Sequence, residues 1–488
     1  GMVAKAEEKR VPEEVFRYRR EALALFLGRL FSTDGSVEKK RISYSSASLG
    51  LAQDVAHLLL RLGITSQLRS RGPRAHEVLI SGREDILRFA ELIGPYLLGA
   101  KRERLAALEA EARRRLPGQG WHLRLVLPAV AYRVSEAKRR SGFSWSEAGR
   151  RVAVAGSCLS SGLNLKLPRR YLSRHRLSLL GEAFADPGLE ALAEGQVLWD
   201  PIVAVEPAGK ARTFDLRVPP FANFVSEDLV VHNSMGKKKV EEMKSHRERF
   251  VQGAKERGVP EEEANRLFDM LEAFANYGFN KCLPARARVV DWCTGRVVRV
   301  GEIVRGEAKG VWVVSLDEAR LRLVPRPVVA AFPSGKAQVY ALRTATGRVL
   351  EATANHPVYT PEGWRPLGTL APGDYVALPR HLSYRPSLHL EGHELDLLGF
   401  ALAEGHLRHP SGVYLYTSSE EELAAMEEAL RAFPNTRIRV VWRRGVAHVY
   451  VGRVDRRQEA GAVAFLRRMG LLGLDAKTKR LPEAVFGL

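Results

Sequence analysis

The sequence predicts an α+β multidomain protein: strand-rich all-β segments, two αββαββα units, and a short helical segment between. Three observations predict it. At 488 residues the chain is longer than one hydrophobic core usually organises. The same succession of periodic segments occurs near both ends. In the middle the apolar pattern changes from helical to alternating and back.

The two αββαββα units carry the helix evidence. Residues 21–33 read as an apolar helix ending in Asp34-Gly35. Strand-like Arg41–Ser45 follows, then helix Leu49–Leu62, strand Glu77–Ile80 and helix Glu84–Ile93. Residues 395–403 form a second apolar helix, ending in Glu404-Gly405. Strand Val413–Thr417, helix Glu420–Phe433, strands Arg437–Val441 and Ala447–Val451, and helix Glu459–Met469 follow. A short repeat accompanies them. Lys9-Arg-Val-Pro-Glu-Glu-Val-Phe16 near the start matches Lys479-Arg-Leu-Pro-Glu-Ala-Val-Phe486 near the end. Six segments result: 1–114, 115–195 (basic and helical), 196–233 (short strands), 234–281 (charged and helical), 282–390 (strand-rich, with Pro and Gly turns) and 391–488.

Composition narrows the function. Net charge is +20, which favours a polyanionic partner, most simply nucleic acid. The competing reading is an Arg-rich solvated surface of the thermophile kind. The three cysteines, Cys158, Cys282 and Cys293, are too few for a disulfide framework, so a reducing cytoplasm is expected. No apolar run reaches membrane-spanning length and no signal peptide is expected. Gly1 before Met2 reads as an added residue.

Two junctions carry chemistry. His232-Asn233-Ser234 follows the strand-like Asp228-Leu-Val-Val. An Asn amide can attack its own backbone carbonyl and cut the chain after itself, helped by an adjacent imidazole. A hydroxyl just beyond can first accept an acyl group. Alone, this tripeptide is a polar turn. Upstream stand Leu198–Glu206, Thr213-Phe-Asp-Leu-Arg-Val-Pro219 and Asn223-Phe-Val225. The other junction opens with Cys282-Leu-Pro-Ala-Arg-Ala-Arg-Val-Val, and Thr353-Ala-Asn-His-Pro357 lies about seventy residues on. A thiolate at such a site can convert the preceding amide to a thioester. Taken singly, Cys282 reads as a buried small hydrophobe and His356 as a strand-end histidine.

Together these blocks resemble the C-terminal and N-terminal splicing blocks of inteins, which implies a Hint-type all-β splicing fold. By that resemblance Asn233 cyclises, His232 assists it, Ser234 is the first extein residue, and Asp215 helps coordinate the steps. Cys282 is the thiol nucleophile, and Thr353 and His356 polarise and protonate the scissile amide. One position departs: Ala222 stands where the family usually has His, leaving a proton transfer to Asp215, His232 or a water. Cys293 matches no block and reads as core.

Ser234–Lys281, 48 residues (281 − 234 + 1), resembles the fingers region of the bacterial DNA polymerase III alpha subunit. It holds no acidic cluster for two catalytic metals, so polymerase activity would need assembly into the full enzyme. Lys237–Lys239 and Lys281 either meet phosphates there or line a solvated helix. Leu27-Gly-Arg-Leu-Phe-Ser-Thr-Asp-Gly35 and Leu397-Leu-Gly-Phe-Ala-Leu-Ala-Glu-Gly405 resemble the two LAGLIDADG motifs of homing endonucleases. That resemblance implies paired helices, with Asp34 and Glu404 holding Mg²⁺ for phosphodiester hydrolysis. Arg29 stands where the motif has a small residue. Basic ribbons such as Arg437–Arg444 would lie on DNA. The 115–195 segment resembles a DNA-contact or linker arm of some inteins.

In family order, Glu404 is the first motif of one endonuclease and Asp34 the second motif of another. The expectation is therefore parts of two inteins around a polymerase segment, with DNA and complementary intein halves on other polymerase fragments as partners. Pairing of the two ends with each other, closing the extein into a ring, is the other arrangement. Rival functions are a site-specific endonuclease with splicing lost, and a DNA-binding gene remnant.

Overall fold

The structure is a computed structural model. It describes residues 10–114, 124–125, 128–160, 172–233, 240–277, 282–407 and 413–472. The chain divides into two compact units. One comprises Gly1–Leu198, Trp292–Val297 and Pro379–Leu488; the other comprises Trp199–Asp291 and Val298–Leu378.

The first unit opens with α1 (Arg20–Asp34), β1 (Gly35–Val37), β2 (Ile42–Ser46), α2 (Leu49–Arg61), β3 (Gln67–Gly72), β4 (Ala75–Ile80), α3 (Arg83–Leu92) and α4 (Ala100–Arg114). Its strands form an antiparallel sheet in the order β1-β2-β4-β3. Ser48 caps α2 by accepting from the Leu51 N–H. A small helical region follows: β5 (Arg124–Leu125), α5 (Pro128–Ser141), α6 (Trp145–Arg151), α7 (Gly156–Ser160), β6 (Leu172–Ser173), α8 (Arg174–Phe184) and α9 (Pro187–Glu194).

The second unit contains β7 (Val197–Arg217), β8 (Asn223–Ser226), β9 (Leu229–His232), α10 (Val240–Lys255), α11 (Glu261–Tyr277), β10 (Leu283–Pro284), β11 (Arg288–Val290) and β12 (Val297–Arg299). It continues with α12 (Val300–Val304), β13 (Trp312–Asp317), β14 (Arg322–Pro327), β15 (Ala330–Thr344), β16 (Val349–Thr353), β17 (Pro357–Thr360), β18 (Gly363–Pro366) and β19 (Tyr375–Pro379). Its sheets interleave both flanks of the central segment. One runs β10-β7-β15-β16, with β19 also on β7; the other runs β12-β11-β8-β9-β17-β18. The central helices α10 and α11 form a hairpin, with Phe250 against Phe268 (5.5 Å between centroids) and Arg247 bridging to Asp269 at 2.5 Å.

The chain then returns to the first unit with α13 (Gly392–Glu404), β20 (Gly405–His406), β21 (Val413–Thr417), α14 (Glu420–Arg431), β22 (Thr436–Arg443), β23 (Val446–Arg453) and α15 (Gly461–Arg468). The sheet order β20-β21-β23-β22 repeats that of β1-β2-β4-β3. The αββαββα layout is therefore present twice, and the two copies share one core. Leu23, Leu27 and Leu30 of α1 and Leu397, Phe400 and Ala401 of α13 belong to the same buried cluster. Such burial on nearly every side explains why both helices read as apolar throughout.

Where α1 and α13 touch, the residues are unequal. A Cβ on Gly399 would lie 2.6 Å from the Arg29 Cβ. Gly399 is thus the small residue that admits Arg29. The guanidinium then reaches Asp396 at 2.6 Å and the Tyr96 carbonyl. A close helix pair survives at the position where the first motif lost its small residue.

Several expectations are corrected. Residues 196–231 begin with one 21-residue strand rather than short ones. Pro201, Pro207 and Gly209 look like breaks, but register shifts against β15 at Pro333/Gly335, Gln338/Tyr340 and Arg343/Thr344 absorb the irregularity. Cys293, expected in the core, lies in a turn and is only partly buried. Two arrangements of the flanks were open, with other chains or with each other; in this structure 199–233 pairs with 282–378 of the same chain, and α1 packs on α13. The repeat copy Lys479–Phe486, Ser234, Lys237–Lys239 and Lys281 lie outside the described residues.

Replacing Gly399 by Val should cost about 1–3 kcal/mol by overpacking the α1–α13 contact. Urea unfolding monitored in the first unit should show the loss, and an unchanged midpoint would contradict the close approach.

Candidate functional site

Three groups of residues qualify, two in the second unit and one in the first. Cys282 directly precedes β10. That strand pairs with β7 through Leu283↔Phe214 and Pro284↔Thr213, which brings Cys282 to Asp215 and Thr213. Cys282 is fully buried. Its amide N–H donates to the Thr353 hydroxyl at 3.0 Å, and the Thr353 N–H donates to the Cys282 carbonyl at 3.1 Å. The amide nitrogen of the Lys281–Cys282 bond is therefore held by the residue the Thr-x-x-His block puts there. His356 is buried one tight turn later, with its N–H on the Thr353 carbonyl at 2.9 Å.

Burial pushes the Cys282 thiol up to about 11. A hydrogen bond with the Ser334 hydroxyl works against that rise, the Asp215 charge adds to it, and the Thr213 hydroxyl lowers it again. At neutral pH the group is a thiol, so forming the nucleophile requires removing a proton locally.

Asn233 directly follows β9 and is buried. Its N–H donates to the Ala222 carbonyl at 2.8 Å. Its side-chain amide satisfies both ends when the nitrogen donates to the same carbonyl at 3.0 Å and the oxygen accepts from the Val218 N–H at 3.1 Å. Ala222 thus acts through its backbone, at φ +56° in the left-handed region. The His232 Nδ1 lies 2.5 Å from the Asn233 carbonyl oxygen. A carbonyl only accepts, so Nδ1 carries the proton in this contact. The imidazole stands edge-on to Trp364, 4.8 Å between centroids. Asn223 braces the turn: its amide donates to the Leu316 carbonyl at 2.9 Å and accepts from the Leu316 N–H at 2.7 Å.

The sheet connects these two groups. Strand β17 begins one residue after His356 and pairs with β9, which ends in His232, through Val358↔Val231. Thr353, His356, Asp215, Cys282, His232 and Asn233 all belong to the second unit. Sequence reasoning missed Ser334, Trp364 and the Ala222 carbonyl. Thr213 stood inside a quoted block without being singled out. Ser334 sits inside β15 at the Pro333/Gly335 register shift and carries no signal of its own.

In the first unit Asp34 and Glu404 close the two paired helices α1 and α13, both partly buried. A carboxylate at a helix C-terminus meets the negative end of the dipole and gains from a cation. Lys101 supplies one. Its ammonium donates to the carbonyls of Phe31 at 3.2 Å, Thr33 at 2.8 Å, and Ser32. Burial lowers its pKa, while the charges of Glu422, Asp34 and Glu404 hold it up. Both predicted acids therefore act on one lysine, which the sequence did not reveal. Among the described residues no group of three or more His, Cys, Asp or Glu forms a metal cage. Two hard oxygen donors fit a divalent ion that keeps water and takes its remaining ligands from phosphate. No described helix is long and apolar enough to cross a membrane.

The span from α1 through α3 is where a known family is recognised: the chain carries a LAGLIDADG-like domain at residues 21–94. The replicative DNA helicase DnaB of Rhodothermus marinus is 38% identical over 242 residues, 47% of this chain and 25% of the helicase. The DNA polymerase III subunit alpha of Thermus aquaticus is 68% identical over 73 residues, 15% of this chain and 6% of the polymerase. Protein RecA of Mycobacterium tuberculosis is 35% identical over 127 residues, 26% of this chain and 16% of RecA. The chain thus spans about a quarter or less of the length of each of these relatives.

Because the Cys282 thiol is pushed up to about 11, its thiolate fraction should still rise tenfold per pH unit from pH 7 to 10. Alkylation of Cys282, followed by peptide mass mapping, should rise with that slope. A plateau near pH 8 would refute the burial described.

Proposed function

We propose that this chain is a permuted splicing protein: two intein parts assemble around a DNA polymerase III alpha segment, residues 234–281, and join its ends, while an endonuclease unit accompanies them. The observation that carries the reading is the clamp of Thr353 on the Cys282 amide, in the same unit as Asn233 with His232 on its carbonyl. The relatives support it. Proteins of three different names share stretches with this chain, at moderate identity over long spans for the helicase and high identity over a short one for the polymerase. An element inserted in unrelated hosts gives that pattern.

The steps balance as follows. The Cys282 sulfur attacks the Lys281 carbonyl, the C–N bond breaks, and the Cys282 nitrogen takes the thiol proton, leaving a thioester. Thr353 holds that nitrogen, and His356, one tight turn on from Thr353, would carry the proton. The Ser234 hydroxyl attacks the thioester, its proton returns to sulfur, and an ester links Ser234 to Lys281. The Asn233 side-chain nitrogen attacks the Asn233 carbonyl, whose oxygen His232 polarises. A succinimide forms, and the Ser234 amine leaves with a proton. That amine attacks the ester and closes an amide, regenerating the hydroxyl. The Ala222 carbonyl, which accepts from the attacking nitrogen, orients it and fills part of the place where the family has a His. Because both flanks come from one chain here, the product is the 234–281 segment closed into a ring.

In the endonuclease unit Asp34 and Glu404 would hold Mg²⁺, and the ion supplies Lewis-acid activation of a scissile phosphate when bound. Lys101 caps the carbonyl end of α1 and offsets the charge of both acids. The basic segment 115–195 and the β22–β23 ribbon would lie on DNA.

Mass spectrometry of the purified chain under reducing thiols should detect a 234–281 product one water lighter than the linear fragment. Cys282→Ala should allow only cleavage after Asn233. Asn233→Ala should stop release of the ring. A wild-type chain that stays intact, indistinguishable from one carrying both Cys282→Ala and Asn233→Ala, overturns splicing. Mg²⁺-dependent nicking of supercoiled DNA should fall at least about 100-fold in Asp34→Asn and in Glu404→Gln, at 1.4 kcal/mol per tenfold. Nicking that survives both substitutions overturns the assignment of the acids.

A further inference from the structure

Outside these sites, helices α6 and α7 of the first unit form a distinct element. Ser144 starts α6 with a capping box: its hydroxyl accepts from the Glu147 N–H at 3.2 Å, and the Glu147 carboxylate accepts from the Ser144 N–H at 2.7 Å. Val152–Ala155, four residues, separate the end of α6 from the start of α7. Ala153 turns the chain at φ +54°, and the Val154 N–H returns to the Gly149 carbonyl at 2.9 Å.

The two helices meet backbone to backbone. A Cβ on Gly149 would lie 2.5 Å from the Val154 oxygen and 2.7 Å from the Gly156 nitrogen, and one on Gly156 would strike the Trp145 carbonyl. The inner face is apolar and fixed: Ala148 and Leu159 are buried, and Trp145 packs edge-on against Phe184 of α8 at 5.7 Å. The outer face is polar and small, with Ser157 and Cys158 exposed on α7 and Arg150 exposed at the end of α6. Residues 128–160 hold six Lys or Arg (133, 138, 139, 140, 150, 151) against two Glu (136, 147).

We infer that α6–α7 is a helix–turn–helix that docks on duplex DNA, with the outer face of α7 in the major groove and the basic end of α6 on phosphates. Two short helices crossing tightly at a four-residue turn are the geometry that presents a second helix to that groove. The roughly 12 Å groove of B-form DNA admits a helix, whereas the deep, narrow major groove of duplex RNA does not. The exposed residues on α7 carry no large apolar side chain, which argues against a protein or membrane partner. The inference rests on the reading of DNA as a partner, and it names the element that makes the contact.

Cys158 is an internal probe. The full chain is titrated with mixed-sequence B-form duplex of about three helical turns, binding is followed by anisotropy, and Cys158 alkylation is read by peptide mass. Duplex DNA should slow Cys158 alkylation at least about tenfold, equivalent to about 1.4 kcal/mol. Ser157→Glu should abolish that protection, and Arg150→Ala should lower the salt slope of binding by about one. If the duplex binds while Cys158 reacts at the free rate, the helix–turn–helix inference fails and DNA remains a partner through other surfaces. If no duplex binds at low salt, both fail. Protection by single strands as strong as by duplex also overturns groove docking.

Discussion

The pairing of β7 with β15 and β10 is the constraint on which the second unit depends. It runs from Ala330↔Arg217 to Thr344↔Ile202, with Leu283↔Phe214 on the other edge. Residues from about seventy to over a hundred positions apart are thereby made neighbours, and the central segment 234–281 becomes a loop between them. Loop closure grows only logarithmically, about 0.6 kcal/mol for each doubling of length. An intervening helical hairpin therefore costs little against a ladder of that length. The same ladder carries Asp215 and Thr213 to Cys282, so strand pairing assembles this group.

The three sites balance burial and charge differently. At Cys282 burial keeps the sulfur protonated and shields it from oxidation, and hydroxyls from two strands moderate the effect. At Asn233 the surroundings are mostly backbone: the Ala222 carbonyl, the Val218 N–H and the bracing of Asn223 by Leu316. At Asp34 and Glu404 two carboxylates face unfavourable helix dipoles, and a partly desolvated ammonium compensates. The first two sites hold neutral groups; the third concentrates charge.

Much of this was legible in the sequence because the signals are local. The period of α1 and α13 follows from their burial, and their terminal acids stand out against it. Cys282, Thr353, His356, His232 and Asn233 are reactive residue types at telling spacings. Other features left no trace. A backbone carbonyl such as that of Ala222 has no side-chain signature, and Lys101 is one basic residue among 76 Lys and Arg. The 21-residue β7 was read as fragments because prolines and a glycine mimic ends that bulges in the pairing tolerate.

The sequence by itself determined the reactive residue types, the doubled αββαββα pattern and the polymerase-like helices, since each depends on side chains within one or two turns or strands. Only the tertiary structure decided who pairs with whom. Chain order left the flanks free to seek other chains or each other, because sheet edges and helix faces are satisfied by whatever complementary surface lies within reach. In this molecule the nearest complement to each flank is the other flank. Gly399 receiving Arg29, and β7 entering between β10 and β15, are the contacts through which the flanks meet here.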